Sequence, residues 1–548
     1  MTLAEKCNGR HPAGGKACLI VVVPRGGMMP TVRDATLRLL RQLGMTTLFG
    51  NPGSTELPLF RDFPSDFRYV LGLQESVVLA MADGFAQVTR NAAFVNLHSS
   101  AGTGHALGNL FTAWKNQTPL IVTAGQQARS ILPFEPFLFA ERPTEFPRPF
   151  IKWAIEPAQA SDVPRAIARA YYEAMTPPCG PTFVSVPVDD WDAAAEGVEA
   201  RRISVLNPGD PAAIAELAQA LGSAARPAFV LGAGVARDRA WDSLVLLAQQ
   251  QRAAVFVAPL CSRNVFPEDH PLFRGFLPAS REGLVKLLEG HDLIVSLGGP
   301  LSLYHTQGFG PHIPANAACW HVSDNPGQLA WAPEGRAILA NTRCVTELLL
   351  KLTEPSHRAA PESRAIPPRL DPQVLDDRWV MEAIGRTLPP EAIVVEEAPS
   401  SRGAMQAHLK IVRPDSFYTT ASGGLGYSLP AAVGASLGSP GRRVVAILGD
   451  GSAMYAIQGL YSAFRLRTPV TFIIINNSSY HALNTFGHVF GLEQVVGTDL
   501  RGLDFCSLAR GHGVPAQRVT RTEDLDLQLA NAFASDGPSL VEVMVSVT

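Results

Sequence analysis

Apolar residues in this chain gather in short continuous runs, and between the runs they recur with helical spacing. A continuous run bounded by turn residues suits a strand covered on both faces, and the longer period suits helices packed against it. A helix is predicted over Arg33–Leu43, followed by a strand at Thr46–Phe49 that ends in the turn Gly50-Asn51-Pro52-Gly53-Ser54. Further strands are expected at Arg68–Leu73, Ala93–Leu97 and Leu120–Thr123, and this block closes near Phe183–Pro187. A second block opens after Asn207-Pro208-Gly209, with strands at Ala228–Leu231, Ala254–Val257 and Leu293–Leu297. The Pro- and charge-rich stretch Glu354–Pro372 reads as a surface linker. A third block follows, with strands at Ile393–Val395, Val444–Leu448 and Val470–Ile475. This alternation predicts an α/β protein of three doubly wound parallel-sheet domains, over residues 29–205, 206–370 and 371–548.

Composition narrows the class. A chain of 548 residues is too long for one hydrophobic core. Net charge is −3 and no Lys/Arg block stands out, which argues against a nucleic-acid or anionic-membrane surface. No apolar run approaches the roughly 20 residues of a membrane span. Seven cysteines occur singly from Cys7 to Cys506 without a Cys-x-x-Cys pair, so reduced thiols are expected in place of a disulfide framework or zinc site. Residues 1–28 hold a short apolar stretch, but Arg25-Gly26-Gly27 follows it instead of a small-residue cleavage site. They read as a flexible extension, and a cytoplasmic location is expected.

The segment from Gly449 to Asn477 carries the most specific chemistry. Val444–Leu448 is a buried-strand run that ends in Gly449-Asp450-Gly451-Ser452 and leads into the helical pattern Ala453–Arg465. The next strand, Val470–Ile475, ends in Asn476-Asn477. A right-handed crossover would set both strands in one sheet and place Asp450 and Asn477 at carboxyl ends, where open α/β sheets bind ligands. One carboxylate and one amide oxygen suit a hard cation that fills its remaining positions with phosphate and water. The two glycines allow close backbone approach, and the following helix N-terminus favours phosphate.

Gly449-Asp450-Gly451 followed by Asn476-Asn477 resembles the signature of thiamine-diphosphate enzymes. The resemblance implies Mg²⁺ held by Asp450, Asn477 and the Ser479 carbonyl, with Gly451, Ser452 and Ser400 near the diphosphate. Glu75 follows the strand Arg68–Leu73 and opens an apolar helix, Ser76–Ala86. Its surroundings, Leu73-Gln74-Glu75-Ser76 and Ala82-Asp83-Gly84-Phe85-Ala86, resemble the family segment that carries the carboxylate activating the aminopyrimidine ring. In Ala421-Ser422-Gly423-Gly424-Leu425-Gly426-Tyr427, Leu425 would prop the bent cofactor and the Gly423 carbonyl would hold its amino group. Tyr480 and Leu483 would complete the cofactor's surroundings. The three domains would then be pyrimidine-binding, middle and diphosphate-binding. Because the family joins the first to the third across a subunit interface, a homo-oligomer, dimer or tetramer, is implied.

The resemblance extends over nearly the whole chain after Met29. Phe49-Gly50-Asn51-Pro52-Gly53-Ser54, Asn96-Leu97-His98-Ser99, Ala101-Gly102-Thr103-Gly104 and Ala124-Gly125-Gln126-Gln127 are similar to the benzoylformate decarboxylases within the 2-keto-acid decarboxylase family. By matched position, Ser54 would contact the substrate carboxylate, and His98 and His305 would be the two catalytic histidines. The implied reaction is non-oxidative decarboxylation of an aryl or bulky 2-keto acid to an aldehyde and CO₂, through a cofactor ylide and enamine. Phe486 and Leu483 are retained beside the pocket, whereas His481, Asn484 and Thr485 depart from the small or aromatic residues expected there. An acetolactate-synthase-like or benzaldehyde-lyase-like carboligase of the same fold is the alternative. Gly232-Ala233-Gly234 follows a strand, but a lone Gly-x-Gly is weak evidence for a dinucleotide, and no flavin is expected.

Overall fold

The computed structural model describes residues 29–371 and 373–546, so the expected extension over 1–28 lies outside the described residues. The chain forms three six-stranded sheets. The first contains β1 (Thr47–Gly50), β2 (Arg68–Leu71), β3 (Ala93–Leu97), β4 (Leu120–Gln126), β5 (Ala154–Ile155) and β6 (Pro181–Pro187), in the order β2-β1-β3-β4-β6-β5. The second contains β7 (Pro227–Leu231), β8 (Ala254–Val257), β9 (Phe273–Phe276), β10 (Leu293–Leu297), β11 (Ala318–Ser323) and β12 (Arg336–Leu339), in the order β12-β11-β10-β7-β8-β9. The third contains β13 (Ile393–Glu397), β14 (Phe417–Thr419), β15 (Val444–Gly449), β16 (Val470–Asn476), β17 (Ala516–Val519) and β18 (Ser539–Met544), in the order β14-β13-β15-β16-β18-β17. Strands within each sheet pair in parallel. The first and third sheets therefore share one winding, and the second has the order found in dinucleotide-binding folds.

The strands the hydrophobic pattern revealed are mostly the interior ones, buried on both faces. Of the edge strands, β2 was legible, whereas β5, β9, β12, β14 and β17 are short or mix polar residues into the run, which hides them from a pattern reading. Two interior strands were also hidden: β11, which carries His321, and β18, which carries Glu542, a buried carboxylate that accepts hydrogen bonds from Asn476 and Arg518. The single helix expected over Ala453–Arg465 is instead two, Asp450–Met454 and Gly459–Leu466. The break lets Gly459 nest against Leu429, whose Cδ2 lies 2.5 Å from where a Cβ on residue 459 would be.

The outer domains are joined backbone to backbone through the helices Glu75–Thr89 and Ser428–Gly438. A Cβ on Gly84 would lie 2.1 Å from the Ala431 carbonyl oxygen, and one on Gly434 would lie 1.8 Å from that of Met81. Only glycine permits such an approach. Beside the crossing, the Tyr427 hydroxyl donates to Asp83 (2.9 Å), and one apolar core runs from Val95 and Leu97 on β3 to Ala446 and Leu448 on β15. The middle sheet has its own core around Phe229, Val255 and Val295. Residues 354–371 of the expected linker run as coil, pinned by Arg358 to the Leu221 and Gln251 carbonyls and by Arg364 to the Gln406 carbonyl. Among the described residues no helix is long and apolar enough to cross a membrane.

Candidate active site

Candidate residues assemble into two groups, each at carboxyl ends of strands. In the first, the turn after β1 carries Asn51, Gly53, Ser54 and Glu56, and the loop after β3 carries His98. Glu75 opens the helix after β2. That helix is capped by Gln74, whose side-chain oxygen accepts the N–H of Ser76 (2.7 Å) and of Val77 (3.2 Å). Glu75 is thus free of any capping duty. Its carboxylate instead receives Asn51 Nδ2 on Oε1 (3.2 Å) and faces His105 Nδ1 with Oε2 (3.0 Å).

His98 occupies the N-cap position of the helix Ser99–Asn116 yet makes no capping hydrogen bond. The next residue, Ser99, is in the left-handed region (φ 43°), a strained conformation that non-glycine residues hold where the surroundings require it. The His98 ring turns back to the β1 turn. Nδ1 lies 3.0 Å from Glu56 Oε2 and 3.2 Å from Thr55 Oγ1. Glu56 is fully buried and also accepts Thr55 Oγ1 (2.5 Å) and the backbone N–H groups of Gly53 (2.9 Å) and Gly125 (3.1 Å). Glu56, already accepting from these donors, holds the imidazole by its Nδ1 side, and Nε2 has no hydrogen-bond partner among the described residues. Sequence reasoning missed Glu56, because nothing but the fold brings β1, β3 and β4 to one carboxyl group. Ser54, on the same turn, is exposed.

The second group lies on the third sheet. β15 and β16 are neighbours, with Gly449 opposite Ile475, so Asp450 and Asn477 emerge side by side. Asp450 Oδ2 (3.2 Å) and Asn477 Oδ1 (3.0 Å) both accept the Ser479 N–H. Burial pushes the Asp450 carboxyl up, and backbone N–H groups at Gly451, Ser479, Ser478 and Asn477 oppose that shift. Tyr480 covers Gly451: a Cβ there would lie 2.2 Å from its ring. Ser400 Oγ accepts the Ala482 N–H (3.0 Å), and Asn484 donates to Ser479 Oγ (3.1 Å). Leu483 is exposed on the helix His481–Val489.

The glycine-rich loop is tied down by another residue the sequence did not reveal. Buried Glu397, at the end of β13, accepts the N–H groups of Gly426 (2.6 Å), Tyr427 (2.9 Å) and Ser428 (2.6 Å). Burial pushes its carboxyl up to about 7. This holds the segment bearing Leu425, while Gly423 (φ 74°) has open space on its side-chain side. His305 reaches the third domain from the middle one, its ring centroid 4.5 Å from that of Phe486. No hydrogen bond among the described residues links Ser54, Glu75 or His98 to Asp450, Asn477 or Ser479.

A different cluster, Asp504, Cys506 and Glu542, also gathers potential metal ligands, but Arg518 pairs with both of its carboxylates. In the middle domain Gly232 and Gly234 serve loop packing. Gly234 N donates to Gly298 O (2.6 Å), and a Cβ on Gly232 would lie 2.5 Å from the Gly299 Cα.

Two identically wound outer sheets around a third, with a Gly-Asp-Gly turn beside Asn477, define a class, and family models agree. The N-terminal TPP binding domain of thiamine pyrophosphate enzymes matches residues 30–141, the central domain 214–347 and the C-terminal TPP binding domain 399–543. The chain belongs to the thiamine pyrophosphate enzyme family. Within it, the chain is 44% identical over 521 residues to the benzoylformate decarboxylase of Pseudomonas aeruginosa, covering 94% of this chain and 99% of that one. It is also similar to the solved thiamine diphosphate-dependent 4-hydroxybenzoylformate decarboxylase of Rhodococcus jostii RHA1, with TM-score 0.91 and 42% identity over 95% of this chain and 100% of that one. The solved benzoylformate decarboxylase of Polynucleobacter necessarius has TM-score 0.92 and 39% identity, over 94% and 99% of the two chains.

Proposed function

We propose that this protein is a thiamine-diphosphate-dependent carboxy-lyase that converts an aryl 2-keto acid, benzoylformate or a close analogue, to an aldehyde and CO₂. The observation that carries this reading is His98, fixed by buried Glu56 with Nε2 free, on the same sheet edge as Ser54 and Glu75. Full-length similarity to the benzoylformate decarboxylase of Pseudomonas aeruginosa supports it.

The second group suits Mg²⁺ and a diphosphate. Asp450, Asn477 and the Ser479 carbonyl offer an all-oxygen donor set with one anionic member, as a hard cation requires. By the family resemblance Gly451, Ser452 and Ser400 would lie near the diphosphate, Tyr480 and Leu483 beside the cofactor, and Leu425 and the Gly423 carbonyl against its rings; the contacts of Tyr480 with Gly451 and of Ser400 with Ala482 support this. When bound, thiamine diphosphate supplies the carbon nucleophile and takes up the electrons that CO₂ leaves behind.

The remaining work falls to side chains of this chain. Glu75 exchanges a proton with the aminopyrimidine nitrogen. Ser54 holds the substrate carboxylate by a neutral hydrogen bond, which avoids stabilising a charge about to be lost. His98 moves a proton at Nε2 to and from the keto oxygen. His305, braced by Phe486, delivers a proton to the carbon that has lost CO₂.

A homo-oligomer, dimer or tetramer, with residues 29–205 of one subunit facing residues 371–548 of another, accounts for the separation of the two groups. Exposed Leu57, Leu73, Phe134 and Phe137 near the first group, and Leu483, Val489 and Phe490 near the second, are the apolar surface such an interface would cover. The balance of charge and reduced cysteines suits a cytoplasmic location. Product analysis tests the reading: incubation with benzoylformate, thiamine diphosphate and Mg²⁺ should yield benzaldehyde. Acetolactate formed from pyruvate as the main product would assign a carboligase instead.

A further inference from the structure

We propose that His105 is a positioning residue for Glu75, relaying its proton to and from solvent. This inference rests on the reading of Glu75 as the activating carboxylate. The Glu75 side chain is only 10% exposed, whereas that of His105 is 64% exposed, and the two meet at 3.0 Å. The other side-chain partner of Glu75, Asn51, is an amide that can donate a hydrogen bond but cannot take up a proton at neutral pH. His105 is thus the one titratable side chain hydrogen-bonded to Glu75 among the described residues, and in the single chain it leads from a buried carboxyl group to the open side of the site.

Local sequence makes room for the contact. Gly102 and His105 lie one helical turn apart on the helix Ser99–Asn116, and a Cβ on Gly102 would already lie 3.3 Å from Glu75 Cγ. The absence of a side chain at 102 lets the carboxylate pass beneath the helix to reach Nδ1.

The relay balances without another reactant. The Glu75 carboxyl proton passes from Oε2 to Nδ1 of the neutral imidazole while the Nε2 proton leaves to water. The reverse transfer returns the proton to Glu75 and restores the original tautomer. No electrons change hands. Exchange of the Glu75 proton with solvent needs such a path, since the carboxylate's own contact with water is small.

The test compares the full-length enzyme with H105N, H105A and E75Q. Asparagine at 105 keeps an amide donor near the position of Nδ1 but cannot relay a proton. In holoenzyme moved to D₂O, acid quench and NMR give the rate at which the cofactor C2 proton exchanges. Thiamine diphosphate affinity should be unchanged in H105N, exchange should fall roughly 10²-fold in H105N and H105A, and added imidazole should restore it in H105A. In cofactor-free protein, the His105 ring ¹⁵N resonances should move on E75Q. Parental exchange in H105N beside slow exchange in E75Q, or no rescue by imidazole, would overturn the relay while leaving Glu75 in place. Parental exchange in E75Q would overturn the role of Glu75 and the relay together.

Discussion

His98 and Glu56 are joined at 3.0 Å through Nδ1, with Glu56 sealed beneath the β1 turn by three further donors. The pair fixes the direction of the imidazole, so the proton transfer proposed for His98 falls to Nε2. His98→Ala should lower kcat by about 10²–10⁴ while thiamine diphosphate affinity stays at the parental value. Glu56→Gln should lower kcat by less and alter its pH profile, because the ring remains but the carboxylate beside Nδ1 is gone. Steady-state kinetics across pH, alongside cofactor titration, checks both. A kcat unchanged in His98→Ala would remove this histidine from the chemistry.

Asp450 is the one anionic donor in the proposed metal set. Asp450→Ala should purify without cofactor and bind added thiamine diphosphate far more weakly at equal Mg²⁺. Chelation of the parental enzyme should release cofactor in the same way, and Mg²⁺ should restore it. Cofactor retained by Asp450→Ala would place the metal elsewhere.

How far the sequence foretold this arrangement depends on whether a residue's signal is local. Asp450 and Asn477 were legible because each ends a continuous apolar strand and one crossover makes those strands neighbours. Glu75 was legible by its position at a strand-to-helix junction, although its freedom from capping required seeing Gln74 take that role. Glu56 and Glu397 were not legible. Each is a carboxylate whose partners come from distant segments, Gly125 and His98 for one and Gly426 to Ser428 for the other. The edge strands other than β2 escaped for a related reason: with one side unpaired they need no continuous apolar run.

The pH dependence of stability should reflect Glu268. Burial pushes its carboxyl up to about 8, and the Ile411 N–H bond opposes this only in part. The folded protein therefore keeps a proton that the unfolded chain releases above the ordinary carboxylate range. Stability falls as pH climbs from about 4.5 to about 8. Glu397 acts in the same sense. Glu268→Gln should flatten part of this slope, so its Tm should drop less than the parental Tm between pH 5 and pH 8. Parallel Tm curves for the two proteins would show that Glu268 ionises in the folded state as freely as in the unfolded chain.

The central claim is most directly tested by initial rates of CO₂ release from benzoylformate and from pyruvate, with saturating thiamine diphosphate and Mg²⁺. The full-length similarity to a benzoylformate decarboxylase, and the apolar Phe486 ring against His305, predict a higher kcat/KM for benzoylformate, with benzaldehyde formed in step with CO₂. A higher kcat/KM for pyruvate would contradict the account.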